Sequence, residues 1–408
     1  MHYKFPRIEH INDVLPAIQG RDEFFVGERE WGKVINYMVN LADTFPPVAT
    51  AGGSAKMREE QSRLKALRRE CRGLLFYPDG RIMVRRLHKF FNLNERDETQ
   101  IHNIDFTQPH VILEKLDGSM ITPVMTTVNG RVMVRWGTKM GLTDVAAPVE
   151  EYVLKNSQYE KFALCMMING YTPIFEWCSR KQKIVIDYAV DRLVLTAVRN
   201  TVTGEYTQYD DMLDMGQVWE IEVVKAYAGT AANMEMLVEE TKELRGAEGY
   251  VIRFDDGMML KLKAEAYISM HHAKDAISAE KNVIDLIVND KIDDFKALVG
   301  EEDREKIVNF EEEFWQGIAA SVDRYTVLWA ELCAHKMDRK RFALERMPTL
   351  KNSDPFAAGI VFGLFDGKLA RDLVVDIIRK NCNTSSKVDS VRSLWGNHVW
   401  QYSFEGDN

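Results

Sequence analysis

Cysteine is scarce in this 408-residue chain. The five present (Cys71, Cys165, Cys178, Cys333 and Cys382) are scattered, odd in number and never form a C-x-x-C pair. That pattern excludes a disulfide framework, argues against a structural zinc site and fits free thiols in a reducing cytoplasm. Long apolar runs are lacking too: none approaches 18 residues, and the N-terminus MHYKFPRIEH has no apolar signal-peptide core. A soluble cytoplasmic protein with no membrane partner is the expectation. Nor is there an excess of positive charge. The net charge of −9 argues against a protein that coats nucleic acid non-specifically. Internal repeats and low-complexity tracts are absent, and FPPVATAGGSAKM (45–57) reads as an exposed, mobile loop.

What is present is a soluble, globular composition, 46% hydrophobic and 28% charged, over a length that suits two domains or three. The pattern changes near residue 275. Before it, short β-rich runs are broken by turn dipeptides such as Asp79-Gly80, Asn129-Gly130, Thr203-Gly204 and Asp256-Gly257. GLLFY and RIMVRRL form a hairpin across Pro78-Asp79-Gly80, and EGYVIRF and MMLKLK another across Asp255-Asp256-Gly257. Helices are predicted around 58–69, 145–168 and 232–245. After residue 275 apolar residues recur three and four apart, as in VIDLIVNDKIDDFKALV, which predicts a helical region. The expected domains are therefore 1–275 and 276–408.

Charge is unevenly spread. Residues 56–89 hold 11 Lys or Arg against 4 Asp or Glu. A run of this kind is usually a solvated face. Here the cations alternate with strand-like apolar residues, so some must point inward or into a cleft, and an anionic ligand such as a polyphosphate would explain their cost.

The stretch VILEKLDGSM (111–120) brings an amine, Lys115, to the end of an aliphatic strand, just before the turn signal Asp117-Gly118. Such a lysine is partly desolvated and rigidly held, which suits a nucleophile and equally suits an ordinary strand end. Lys-x-Asp-Gly alone is weak, since it arises by chance in roughly one chain in ten of this length. Other constellations supply it with partners. Strand alternation in MMLKLK places Lys261 and Lys263 on one face, where they repel unless an anion lies between them. Glu248 opens the same hairpin in EGYVIR. Glu176 stands inside the apolar strand PIFEWCS and must be paired, exposed at a strand end or metal-bound. Arg72 precedes a strand in ECRGLLF.

In this order the motifs resemble the covalent nucleotidyltransferase superfamily of ATP-dependent ligases and capping enzymes, and most of all the bacteriophage RNA ligase 1 family. KLDGS is similar to the family's nucleophile motif, FEW to motif III, EGYV to motif IV and LKLK to motif V. ECRGLLF, KFFNLNE (89–95) and TGEYTQYDD (203–211) extend the likeness, which covers roughly 30–275 well and the remainder loosely. The resemblance implies an α+β fold: a nucleotidyltransferase (ATP-grasp-like ligase) domain of antiparallel sheets with flanking helices, then an all-α domain for RNA specificity. It implies an ATP-dependent RNA ligase, with Lys115 attacking the α-phosphorus of ATP to give lysyl–AMP. AMP then passes to an RNA 5′-phosphate and is displaced by a 3′-hydroxyl. A lysine attacks only when neutral, far from its reference pKa of about 10.4, and the neighbouring cations and a metal are expected to assist.

By the same resemblance, Lys261 and Lys263 are ligands of the α-phosphate, and Arg72 and Lys89 contact phosphates or ribose. Lys139 in GTKMG matches a family lysine, with Met140 interrupting the motif, and Tyr37 aligns with a nucleotide-contacting tyrosine. Val251 lies against the adenine face with Phe175 as a further wall, core packing being the alternative for both. Glu248 and Glu176 hold Mg²⁺ or Mn²⁺. Asp293-Asp294 resembles a metal-linked pair and reads equally well as a helix N-cap. The implied partners are RNA with 5′-phosphate and 3′-hydroxyl ends, such as cleaved tRNA anticodon loops, and a polynucleotide kinase–phosphatase that prepares the ends. The implied setting is a bacteriophage protein, monomeric, in the host cytoplasm.

Two other readings stand beside it. A DNA ligase or capping enzyme would continue into a β-barrel OB domain where this chain turns helical. A catalytically idle RNA-binding protein of the same fold would not need Lys115, Glu248, Lys261 and Lys263 together. His271-His272 point in different directions on a helix and lack a third ligand. Trp315, Trp329 and Trp395 sit at apolar helical spacing that favours core or interface roles over stacking on bases. Residues 276–408 carry 18 basic against 23 acidic residues, so RNA contact there requires a local patch.

Overall fold

The structure, a computed structural model, describes residues 4–38, 43–49, 54–128, 130–182, 184–229, 233–289, 291–296 and 298–402. The chain divides into two compact units, Met1–Ile268 and Ser269–Asp407. Among the described residues, all strands belong to the first unit, and no helix is long and apolar enough to cross a membrane.

Among the described residues, twelve strands form three four-stranded sheets. β1 (Phe24–Arg29), β2 (Gly32–Tyr37), β3 (Leu74–Phe76) and β4 (Ile82–Val84) make the first, antiparallel throughout. β5 (Phe91–Asn92) and β6 (His110–Lys115) are the edges of another sheet, ordered β5-β12-β11-β6, with β11 (Gly249–Phe254) and β12 (Met259–Lys263) as its centre. β7 (Ser119–Val128), β8 (Arg131–Gly137), β9 (Tyr171–Cys178) and β10 (Arg192–Asn200) make the remaining sheet, ordered β10-β9-β7-β8. Both expected hairpins form: β3 pairs with β4, and β11 with β12.

The sheet containing β9 buries one face under helices Ala147–Lys155, Gln158–Ile168 and Tyr209–Trp219, through Trp136, Tyr159, Phe162, Phe175 and Trp177. Its other face meets the first sheet through Val124, Val34 and Val84. It meets the β5-β12-β11-β6 sheet through Cys178, Val194 and Leu113. The helix expected over 145–168 is two helices. Asn156 leaves the helical conformation, and its side-chain amide donates to the Tyr152 carbonyl at 2.8 Å, ending the first helix before the second starts.

The basic run splits in two. Arg85 is fully buried, and its charge is met by Glu70 of the same run (Nε to Oε2, 3.0 Å), not by a ligand. Arg199 reaches the same carboxylate from β10 at 2.7 Å. Arg69 pairs with Glu98, and exposed Arg81 with Asp79 at 2.8 Å. Only Arg72 and Lys89 of this stretch join the site described below.

The second unit is helical. Its centre is the 34-residue helix Glu301–Ala334, whose buried Phe310, Phe314, Ile318, Tyr325 and Leu332 lie along one stripe. Trp395 is fully buried against it, Trp315 packs on the same core, and Trp329 meets Phe365 edge-on at 4.8 Å. All three tryptophans serve packing. His271 pairs with Asp275 at 3.0 Å, and among the described residues no group of three or more His, Cys, Asp or Glu could hold a metal.

Candidate active site

The pairing register of β6, β11 and β12 builds the floor of the site. Lys115 and Lys263 lie on either side of Gly249, and Leu113 and Lys261 on either side of Val251. Directly opposed residues share a face, so Lys115, Lys263, Lys261 and Val251 all project from one side of the sheet. Gly249 has φ +135°, and a Cβ there would meet the Leu262 carbonyl oxygen at 2.0 Å. Only glycine lets the two lysines flank that position with no side chain between them.

Glu248, buried at 4% exposure, stands just before β11 and receives both amines. Lys115 Nζ lies 2.7 Å from Oε2 and Lys263 Nζ 3.0 Å from Oε1. Glu176 faces them from β9. Burial pushes its carboxyl up to about 7, with Lys115 opposing the shift and Glu248 adding to it. Lys261 is pushed down to about 7 by burial and then by Arg72, Lys115, Lys89 and Lys263. Its ammonium sits 4.8 Å from the Phe90 ring centre. Burial and Arg72 also lower the pKa of Lys89 and Lys139. These two ammoniums lie 5.6 and 5.7 Å from the Tyr37 ring, so Tyr37 joins the cluster as the surface they share.

Arg72, Lys89, Lys139 and Lys261 form no salt bridge among the described residues, although they crowd one another. Lys139 is held in place by packing of backbones. Gly73 (φ +81°) lies so near that a Cβ would come 2.5 Å from the Lys139 carbonyl oxygen. Asn36, fully buried, donates to the Met140 sulfur at 3.0 Å.

Val251 is half-buried on the floor, beside the cations. Phe175 is not a wall of the site: it is fully buried among Trp136, Tyr159 and Phe162 on the helix-covered face. Alternation decides this, because Glu176 faces the cations and its neighbour must face away. Asp293 belongs to the second unit, inside the first turn of helix Ile292–Lys296 and not capping it. It is exposed and paired with Lys296 at 2.9 Å. The side chain of Asp294 lies outside the described residues.

Several supporting residues escaped the sequence reading. Asp117, read as a turn residue, is buried, and its carboxylate accepts from the Val185 and Ile186 amides (2.7 and 2.6 Å) and from Tyr267 Oη (2.8 Å). Its own amide donates to Tyr188 Oη at 2.9 Å. The residue two positions after Lys115 is thereby fixed from two directions, while Lys263 lies 5.2 Å from the Tyr267 ring centre. Asn36 and Phe90 carried no signal beyond an apolar strand and an aromatic pair.

Residues 70–267 match the family model described as RNA ligase, and residues 274–388 match the one for the T4 RNA ligase 1 C-terminal domain. The chain belongs to the T4 RNA ligase 1 family. A protein of Thermovibrio ammonificans named "Putative RNA ligase" is 32% identical over 248 residues, 57% of this chain and 61% of its own length. The chain therefore spans under two thirds of that relative. An archaeal ATP-dependent RNA ligase structure aligns with TM-score 0.42 and 13% identity over 65% of this chain and 64% of that one. The Naegleria gruberi RNA ligase with PPi aligns with TM-score 0.32 and 15% identity over 40% and 52%.

Proposed function

We propose that this RNA ligase 1 family member is an ATP-dependent RNA ligase that works through lysyl–AMP and RNA-adenylate intermediates. One observation carries the reading. A single lysine at a strand end, Lys115, belongs to a cluster with Arg72, Lys89, Lys139, Lys261 and Lys263, in which Glu248 pairs with Lys115 and Lys263 and Glu176 faces Lys115. Cations crowded to this degree repel one another, and a polyphosphate relieves the repulsion.

In the proposed first step, neutral Lys115 forms a nitrogen–phosphorus bond at the α-phosphorus as the bond to pyrophosphate breaks. The amine must leave its ion pair with Glu248 and shed a proton beforehand. Lys261 and Lys263 hold the α-phosphate oxygens and oppose charge that builds on them. Arg72, Lys89 and Lys139 bind the outer phosphates or the ribose, and Val251 supports the base. Glu176 and Glu248 act on each other's charge, and they are the residues that would hold one divalent ion. Two carboxylates completed by phosphate oxygens and water suit Mg²⁺ or Mn²⁺, which would supply further positive charge against the phosphates. The substrate would be RNA with 5′-phosphate and 3′-hydroxyl ends. Broken tRNA anticodon loops prepared by a kinase–phosphatase are the natural case, and the helical unit would select them.

Labelled ATP tests this. Wild-type protein should acquire covalent AMP and seal single-stranded RNA in preference to nicked DNA. Lys115→Ala should do neither, and Lys115→Arg should fail as well, because a guanidinium stays protonated. AMP incorporation that survives Lys115→Ala would place the nucleophile elsewhere.

A further inference from the structure

Beside the cation cluster, at the β5 edge of its sheet, lies a cavity of about 670 Å³. That volume is typical of sites that enclose a small molecule. Its lining includes Phe90, Phe91, Phe254 and Met258. Lys89 and Phe90 separate it from the active site and belong to both. Each lines the cavity, while the Lys261 ammonium lies against the Phe90 ring and the Lys89 ammonium near Tyr37.

The polar lining has unused capacity. The amide nitrogens of Asn103 and Gln108 donate to the Asp97 carbonyl (2.8 Å) and to Asp105 (3.3 Å), which leaves the amide oxygens as acceptors. Arg69, another lining residue, is 5% exposed. Its Nη2 donates to the Pro46 carbonyl at 3.0 Å and to Glu98, whereas its Nε has no hydrogen-bond partner.

Aromatic residues and amide acceptors, one residue away from the cation cluster, match an unstacked nucleobase whose own phosphate sits among the cations. We propose that this cavity receives the 5′-terminal base of the phosphate-bearing RNA strand. The proposal rests on the ligase reading above and adds where the substrate strand is held.

Two variants probe it. Met258→Trp fills the volume, and Asn103→Leu removes an acceptor at an exposed position. Both should form lysyl–AMP at the wild-type rate. In both, KM for AMP transfer to 5′-phosphorylated RNA should rise about tenfold, as loss of one stacked base predicts. Wild type should lose a similar factor on RNA whose 5′ nucleotide is abasic, and the variants should lose nothing more. Unchanged transfer in both variants, or wild-type indifference to the abasic end, would overturn the proposal. So would loss of ATP binding in both variants, which would assign the cavity to ATP. Quenching of a 5′-terminal 2-aminopurine reads the cavity without catalysis. Quenching that persists in Met258→Trp would refute the proposal even if wild type formed no adenylate, an outcome that would separately sink the ligase reading.

Discussion

Replacing Glu70 with Gln should destabilise the first unit by about 3 kcal/mol or more, although Glu70 touches no proposed ligand. Its carboxylate is 3% exposed and accepts from Arg85 Nε (3.0 Å) and from Arg199 Nη1 and Nη2 (2.8 and 2.7 Å). Burial alone would raise its pKa. Arg199 and Arg85 more than reverse that, holding it at about 2 against an ordinary 4.5. At 1.36 kcal/mol per unit, the difference corresponds to about 3 kcal/mol. Neutralising Glu70 also strands two buried guanidiniums, and breaking such pairs costs roughly 3–5 kcal/mol. The folded pKa is depressed, so the contribution is complete above pH 4.5 and is lost as pH falls toward 2. Urea unfolding followed by circular dichroism at pH 7 and near pH 3 measures both effects. Wild type should lose stability between the two conditions, and Glu70→Gln should start lower and lose less. A variant within about 1 kcal/mol of wild type at pH 7 would refute the reasoning, because two unpaired buried charges cannot be so cheap.

Three further predictions concern the site. Lys261 is charged below about pH 7 and neutral above it, so ATP affinity should weaken as pH rises through 7. Lys261→Arg should flatten that profile between pH 6 and 8, and an equal slope in both proteins would show that Lys261 is not the titrating group. Glu248→Ala removes the partner shared by Lys115 and Lys263 and should abolish most AMP incorporation across a Mg²⁺ or Mn²⁺ titration. Wild-type rates at any metal concentration would deny Glu248 its role. A truncation ending after Ile268 keeps every site residue of the first unit, including the Tyr267–Asp117 hydrogen bond. It should form lysyl–AMP yet join tRNA halves no better than a linear oligonucleotide, and a folded truncation that cannot be adenylylated would contradict the division of labour.

Which parts of this site were legible in sequence follows from how local each constraint is. Lys261 and Lys263 share a face because strands alternate over two residues, a rule that needs no tertiary knowledge. The same rule, applied to β9, would have sent Phe175 to the helices once Glu176 was assigned to the cations. The hairpins were legible because a turn joins their strands within a few residues. Arg85 was not. Its partner Glu70 is only fifteen residues away, but the pair closes through Arg199, 129 residues beyond Glu70, and no pattern in 56–89 announces a third charge from β10. The excess of cations in that run was real, and its meaning depended on which carboxylate the fold delivered. Where one was delivered, at Arg85, the charge serves stability. Where none was, at Arg72 and Lys89, the cation stands in the Lys261 cluster without a salt bridge among the described residues. Asp117 shows the converse: two residues from Lys115 it reads as a plain turn aspartate, until the 185–186 amides and Tyr267, 68 to 150 residues later in the chain, converge on it. A motif names the reacting group, but the residues that hold it still come from distant parts of the chain and become visible only in the fold.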